Sequence, residues 1–137
     1  MSVSHIFVYG SLQKVFEDKN EYTRLFHSMT SYVQKGIVKG TLYMVDWYPG
    51  LLLNGNTPIH GELYLINHPD LLFLMDEYEN AIEENLTSTV DVNSYDYLRK
   101  EVLVNNIPAW VYEYRRDVNQ DKLIANGNFI KTHYGLE

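Results

Sequence analysis

Apolar residues recur along the chain at two spacings, and the changes between them divide it into elements. His5-Ile6-Phe7-Val8-Tyr9 is a β-branched and aromatic run that stops at Gly10-Ser11. That is the pattern of a buried strand closed by a glycine turn. From Asp18 to Met29 the apolar positions Tyr22, Leu25, Phe26 and Met29 follow helical spacing, which predicts an amphipathic helix with Asp18 or Asn20 as N-cap. Val33 to Val45 reads as a strand, with Gly36 and Gly40 as bulges or points of close approach. Tyr48-Pro49-Gly50 reads as a turn, and Leu51-Leu52-Leu53 as a short strand closed by a hairpin-type turn at Asn54-Gly55-Asn56. Ile59 to Ile66 is a further strand, with Ile59, Gly61, Leu63 and Leu65 on one face.

Asn67-His68-Pro69-Asp70 opens a second helix that runs through Leu71-Leu72-Phe73-Leu74-Met75 to Tyr78 or Glu79. Ala81 to Tyr95 is polar and reads as a loop or a frayed helix. Tyr97 to Val104 and Ala109 to Tyr114 form a hairpin around Asn105-Asn106-Ile107-Pro108, and Asn119 to Ala125 a short helix stopped by Gly127. The order is not an alternating βαβ series. It predicts an α+β domain built on a small, closed or nearly closed antiparallel (mixed) β-barrel with flanking helices.

Length and composition narrow the classes. The chain has 137 residues, within the ~100–200 of one domain, so residues 1–137 are read as a single domain. Hydrophobic residues at 45% and charged residues at 21% exclude a mainly disordered chain. No apolar run approaches the ~18–20 residues of a membrane span. The Met1-Ser2-Val3-Ser4-His5 start lacks the basic region of a signal peptide, and the expected compartment is the cytoplasm. Absence of cysteine excludes disulfides, thiolate zinc sites and cysteine nucleophiles. A formal charge of −7 argues against nucleic acid and anionic membrane as partners. The basic pairs Arg99-Lys100 and Arg115-Arg116 read as solvated strand ends. The 12 tyrosines suit a polar small-molecule pocket or a β-rich core. The five histidines show no HxxH or HExxH spacing, and GxSxG, GxGxxG and P-loop patterns are missing. Neither a metal nor a cofactor is expected.

One carboxylate sits where the pattern does not want it. At about 100° per residue from Leu71, Leu72 lies at about 100°, Met75 at about 40° and Glu79 at about 80°. Glu79 therefore shares the apolar face, while Asp76 and Glu77 turn toward the rim or solvent. Three readings follow. The helix frays and Glu79 turns to water, or Glu79 forms a buried ion pair with Arg99, or it is an enclosed general acid/base. A second constellation is Tyr9-Gly10-Ser11-Leu12, where backbone N–H groups after a buried strand form a nest for a carboxylate or an oxyanion. Close approach or a positive φ would account for Gly10.

The two constellations, with the motifs between them, resemble the gamma-glutamylcyclotransferase-like superfamily. Phe7-Val8-Tyr9-Gly10-Ser11-Leu12 is similar to its opening "FVYGSL". Gly40-Thr41-Leu42-Tyr43 with Tyr48-Pro49-Gly50-Leu51 is similar to "GxLYxxxxYPGL", and Gly61-Glu62-Leu63-Tyr64 to "GELY". Met75-Asp76-Glu77-Tyr78-Glu79 is similar to "LDxYE", and Tyr97-Leu98-Arg99 with Val102 and Val104 to "YxRxxVxV". Trp110-Val111-Tyr112 and Gly127-Asn128-Phe129 resemble the closing strand and the "GDW" end. The resemblance implies a small barrel with flanking helices, Glu79 as catalytic acid/base, and substrate binding by Tyr9, Gly10, Ser11 and Leu12. It implies conversion of a gamma-glutamyl amine or related conjugate to 5-oxoproline and a free amine, without cofactor, by a monomer or weak homodimer. Tyr112 or Tyr114 would supply a hydroxyl. A non-catalytic barrel that binds a small metabolite is the alternative. Two departures stand out: Asn80 follows the glutamate where the family often has Gly, and the stretch from Glu79 to Tyr97 is longer than in compact members.

Overall fold

A computed structural model describes residues 3–135; Met1 and Ser2, which enter the leader reading, lie outside them. The strands are β1 (His5–Val8), β2 (Thr30–Met44), β3 (Pro49–Ile66), β4 (Ala81–Glu83), β5 (Tyr97–Val104) and β6 (Ile107–Tyr114). The helices are α1 (Glu21–Ser28), α2 (Leu71–Glu79) and α3 (Phe129–His133). The sheet order is β2-β3-β1-β6-β5-β4. β1 pairs parallel with β6 and β4 parallel with β5, the rest being antiparallel apart from one parallel β3–β6 pair, Leu51 with Glu113. The sheet is therefore mixed. Among the described residues its end strands β2 and β4 do not pair, so the sheet is mixed, as expected, but open rather than the closed or nearly closed barrel. After β4 the polar Glu84–Thr89 segment coils into a 3-10 turn instead of supplying another strand. No described helix is long and apolar enough to cross a membrane.

β1 runs through the middle, and its unbroken apolar sequence follows from burial on both faces. Phe7 and Tyr9 point to one core with Leu42, Leu51, Ile59, Leu63, Val104, Val111 and Phe129 of α3. Ile6 and Val8 point to the other, with Tyr64, Tyr112, Phe26 of α1 and Leu71 and Met75 of α2. Thus the helices α1 and α2 cover one face of the sheet.

Local chemistry explains the elements, including those that differ from expectation. Asn20 is the α1 N-cap, in a capping box with Thr23. Pro69 lies outside α2, whose N-cap is Asp70. Leu51–Leu53 and Ile59–Ile66 are one strand, β3, and Asn54-Gly55-Asn56 is an excursion within it rather than a hairpin turn. The ladder with β2 jumps there from Gly40–Thr57 to Thr41–Leu52. Residues 45–48 make the β2–β3 connection, so Pro49 and Gly50 open β3 instead of turning it. Leu65 is exposed while Tyr64 is buried under α1, because helix covers that face of β3. The polar 81–95 stretch contains β4 and two 3-10 turns. Asn119–Ala125 shrinks to a 3-10 turn at Gln120–Lys122, and α3 follows, capped by Asn128.

Gly36 marks where the sheet folds over itself. A Cβ there would lie 2.5 Å from Val104 of β5 and 3.3 Å from the Phe7 ring. Overpacking of this kind costs about 1–3 kcal/mol. Gly36→Val should lower unfolding free energy by at least that much in urea titration, and an unchanged midpoint would contradict the close β2–β5 contact.

Candidate active site

α2 delivers Glu79 and then stops. Asn80 takes the left-handed conformation, φ 53°, and its N–H caps the carbonyls of Asp76 and Glu77. Asn and Gly tolerate that conformation best, which accounts for an asparagine at position 80. The Asn80 carbonyl accepts the N–H groups of Asp96 (2.9 Å) and Tyr97 (3.3 Å), and its amide donates to Ser94 O and Asp96 Oδ2. The helix end is thus fastened to the start of β5 and does not fray.

Glu79 lines a cavity of about 160 Å³ together with Tyr9, Gly10, Ser11 and Leu12. The two predicted constellations are therefore brought together. Arg99 does not pair with Glu79. It is buried and forks onto Asp76, Nε to Oδ1 at 2.8 Å and Nη2 to Oδ2 at 3.1 Å. One expectation is corrected here: Arg99 is not a solvated strand end. Asp76, half-buried toward the rim, supplies the counter-anion that a guanidinium away from water needs. Lys100 is also held, by Glu113 at 2.6 Å and Glu84 at 3.3 Å. Among the described residues no protein group hydrogen-bonds the Glu79 carboxyl. Burial, and then the charge of Asp76, push its pKa from 4.5 up to about 8.

The turn opposite is held from behind. His27 Nε2 lies 2.8 Å from Leu12 O, Ser11 Oγ lies 3.2 Å from the Tyr78 hydroxyl, and Lys14 N–H donates to Glu62 at 2.8 Å. Among the described residues the N–H groups of Gly10, Ser11 and Leu12 donate to no protein acceptor. Gly10 is not at positive φ; close approach requires it, since a Cβ would meet Pro49 Cγ at 2.9 Å.

Tyr9 contributes its ring to the wall, while its hydroxyl serves the sheet. It donates to Tyr112 O at 2.7 Å and accepts Leu51 N–H at 3.2 Å. Neither tyrosine expected to offer a hydroxyl does so. Tyr112 lines the cavity but donates to Asp76 at 2.8 Å, and Tyr114 is not part of the lining. Sequence reasoning missed Trp47, Tyr48, Asp96 and Tyr97, which also line the cavity. The Tyr97 hydroxyl donates to Pro49 O at 2.9 Å, whereas that of Tyr48 has no partner among the described residues. Tyr48 carried a signal, the Tyr-Pro-Gly motif, which reads as a turn and enters the family resemblance but does not by itself place Tyr48 at the cavity.

A family model described as gamma-glutamyl cyclotransferase, AIG2-like, matches residues 6–131. The chain belongs to this family. It is 30% identical over 128 residues to the gamma-glutamylcyclotransferase family protein YtfP of Escherichia coli K12, covering 91% of this chain and 95% of that protein. The solution structure of the Escherichia coli protein superposes with a TM-score of 0.66 at 27% identity, over 93% of this chain and 97% of that one. An AIG2-like protein of Mus musculus, at 20% identity and a TM-score of 0.65, shares the fold over 100% of this chain and 95% of its own. The gamma-glutamyl cyclotransferase, AIG2-like sequences thus span both the cavity and its supports.

The Glu79 shift sets a pH dependence of stability. The folded state binds the Glu79 proton more tightly than the unfolded chain. The associated stability is complete below pH about 4.5 and is lost as pH rises through about 8. Glu79→Gln removes this loss. Its melting temperature should match the parent at about pH 5 and exceed it at about pH 9, and parallel curves would refute an enclosed, unpaired carboxylate.

Proposed function

We propose that the chain cyclises a gamma-glutamyl amine or related gamma-glutamyl conjugate to 5-oxoproline and releases the amine, with Glu79 as general acid/base. The observation that carries this reading is that Glu79, whose carboxyl has no protein partner among the described residues, lines one cavity with Gly10, Ser11 and Leu12, whose N–H groups donate to no described protein acceptor. Family membership supports the reaction class.

The substrate holds nucleophile and electrophile in one molecule, so orientation supplies much of the acceleration. Its α-ammonium, of pKa ~8, must lose a proton before it attacks. A carboxyl with a pKa of about 8 is matched to that group, the condition under which proton exchange is most effective. The ionised form of Glu79, the smaller fraction at neutral pH, takes the proton, and the amine nitrogen attacks the γ-carbonyl carbon to close a five-membered ring. The protonated Glu79 then gives its proton to the leaving nitrogen as the amide C–N bond breaks. The ring nitrogen sheds its second proton and the amine departs as an ammonium ion, which balances charge. N–H groups of Gly10, Ser11 and Leu12 hold the substrate α-carboxylate or the developing oxyanion. Tyr9 and Tyr97, with their hydroxyls committed to backbone carbonyls, act as rigid walls.

Incubation with a panel of gamma-glutamyl amines and dipeptides, followed by mass spectrometry, should reveal 5-oxoproline with the matching amine. Glu79→Gln should retain binding and lose ~10²–10⁴-fold in turnover. Wild-type turnover by a folded Glu79→Gln protein would end the assignment, and ligand binding without product across the whole panel would favour a non-catalytic metabolite-binding domain.

A further inference from the structure

We propose that Asp76 is a positioning residue of this site: by occupying Arg99 it keeps Glu79 unpaired and directed at the cavity. The inference deepens the reading of Glu79 as acid/base and rests on it.

Asp76 and Glu79 stand three residues apart on α2, so they share a face with Cβ atoms about 5–6 Å apart. Arg99 reaches that face from β5 and is 8% exposed. A buried guanidinium stays charged and requires an anion, and two carboxylates compete for it. Three contacts give it to Asp76. The fork of Nε and Nη2 takes both Asp76 oxygens, a bidentate geometry stronger than a single bond. The Tyr112 hydroxyl adds a third donor to Oδ1 at 2.8 Å. Trp110 lies under the guanidinium at 4.3 Å and fixes it in place.

With the single cation taken, a second carboxylate in the same enclosure has no counter-charge. It holds its proton instead, and it stays free for a ligand. The other titratable groups facing Glu79 do not alter this count. Tyr9 from the turn after β1, Tyr48 from the β2–β3 connection, Tyr97 from β5 and Tyr112 from β6 are all raised by burial and stay neutral. Asp96, at the cavity wall, is paired with Arg116. Asp76 is the charge that adds to burial in raising Glu79, and Arg99 is held by Asp76.

Asp76→Asn tests this. Arg99 loses its anion and turns to Glu79, one helical turn away. The Glu79 midpoint, followed by carbon-13 NMR of the side-chain carboxyl without substrate, should fall by at least about one pH unit. The acid limb of kcat/KM should move with it, and kcat should drop. The double variant Asp76→Leu/Arg99→Met removes both charges and should return the Glu79 midpoint to above about 6, as burial alone requires. A parental midpoint in folded Asp76→Asn overturns the proposal. If that variant does not fold, the double variant decides by itself: a Glu79 midpoint in the ordinary carboxylate range refutes the assignment. The titration needs no turnover, so absence of 5-oxoproline would end the proposed reaction without touching this result.

Discussion

The central strand of the sheet stops early, and the site follows from that. β1 lies between β3 and β6, paired with β3 as far as Val8 and with β6 at His5 and Ile6. Beyond it the two neighbours close on each other through Leu51 and Glu113. The Tyr9 hydroxyl, bonded to Leu51 N–H and Tyr112 O, stands in where the strand's own backbone would have been. The chain leaves the sheet at Gly10-Ser11-Leu12 with its N–H groups released from the ladder. A truncated central strand thus produces both halves of the candidate site, a hollow at the sheet's end and a row of N–H groups without protein acceptors beside it.

α2 completes the enclosure, and electrostatics governs how. Its last turn is fastened twice to β5, through the Asn80 carbonyl and through Asp76 with Arg99. Glu79 sits between those points and is therefore precise in position while remaining unbonded. Burial of such a group is unfavourable when it is charged. The molecule meets this by letting Glu79 keep its proton near neutrality, not by supplying a cation. A carboxyl in that condition exchanges protons readily with an amine, which an ion-paired one would not. The tyrosines contribute similarly. Their rings line the cavity, and three of the five tyrosines there have hydroxyls tied to backbone carbonyls or to Asp76.

Much of this was legible along the chain because it is written in local patterns. The apolar run from His5 to Tyr9, the helical spacing from Tyr22 to Met29, and the place of Glu79 on the apolar face of α2 depend only on the repeat of strand or helix. The turn after Tyr9 and the family motifs are equally local. These sufficed to nominate Glu79 with Tyr9-Gly10-Ser11-Leu12 as a pair of candidates. The same logic failed where partners far apart in sequence compete. An Asn-Gly-Asn segment has the chemistry of a hairpin turn, yet β2 runs past it and holds both flanks in one strand. Leu65 keeps the strand alternation but lies where no element covers it.

The sequence by itself determined β1, α1, α2 and the place of Glu79 on the apolar face of α2, since each is set by residues within a turn or two of one another. Tertiary structure alone decided that the sheet stays open, that Tyr48 and Tyr97 join the cavity, and that Arg99 binds Asp76 and not Glu79. These outcomes depend on which surfaces meet after folding. Two carboxylates on one helical face are equivalent claimants for a cation until β5 and β6 dock and place Arg99 and Tyr112 over one of them.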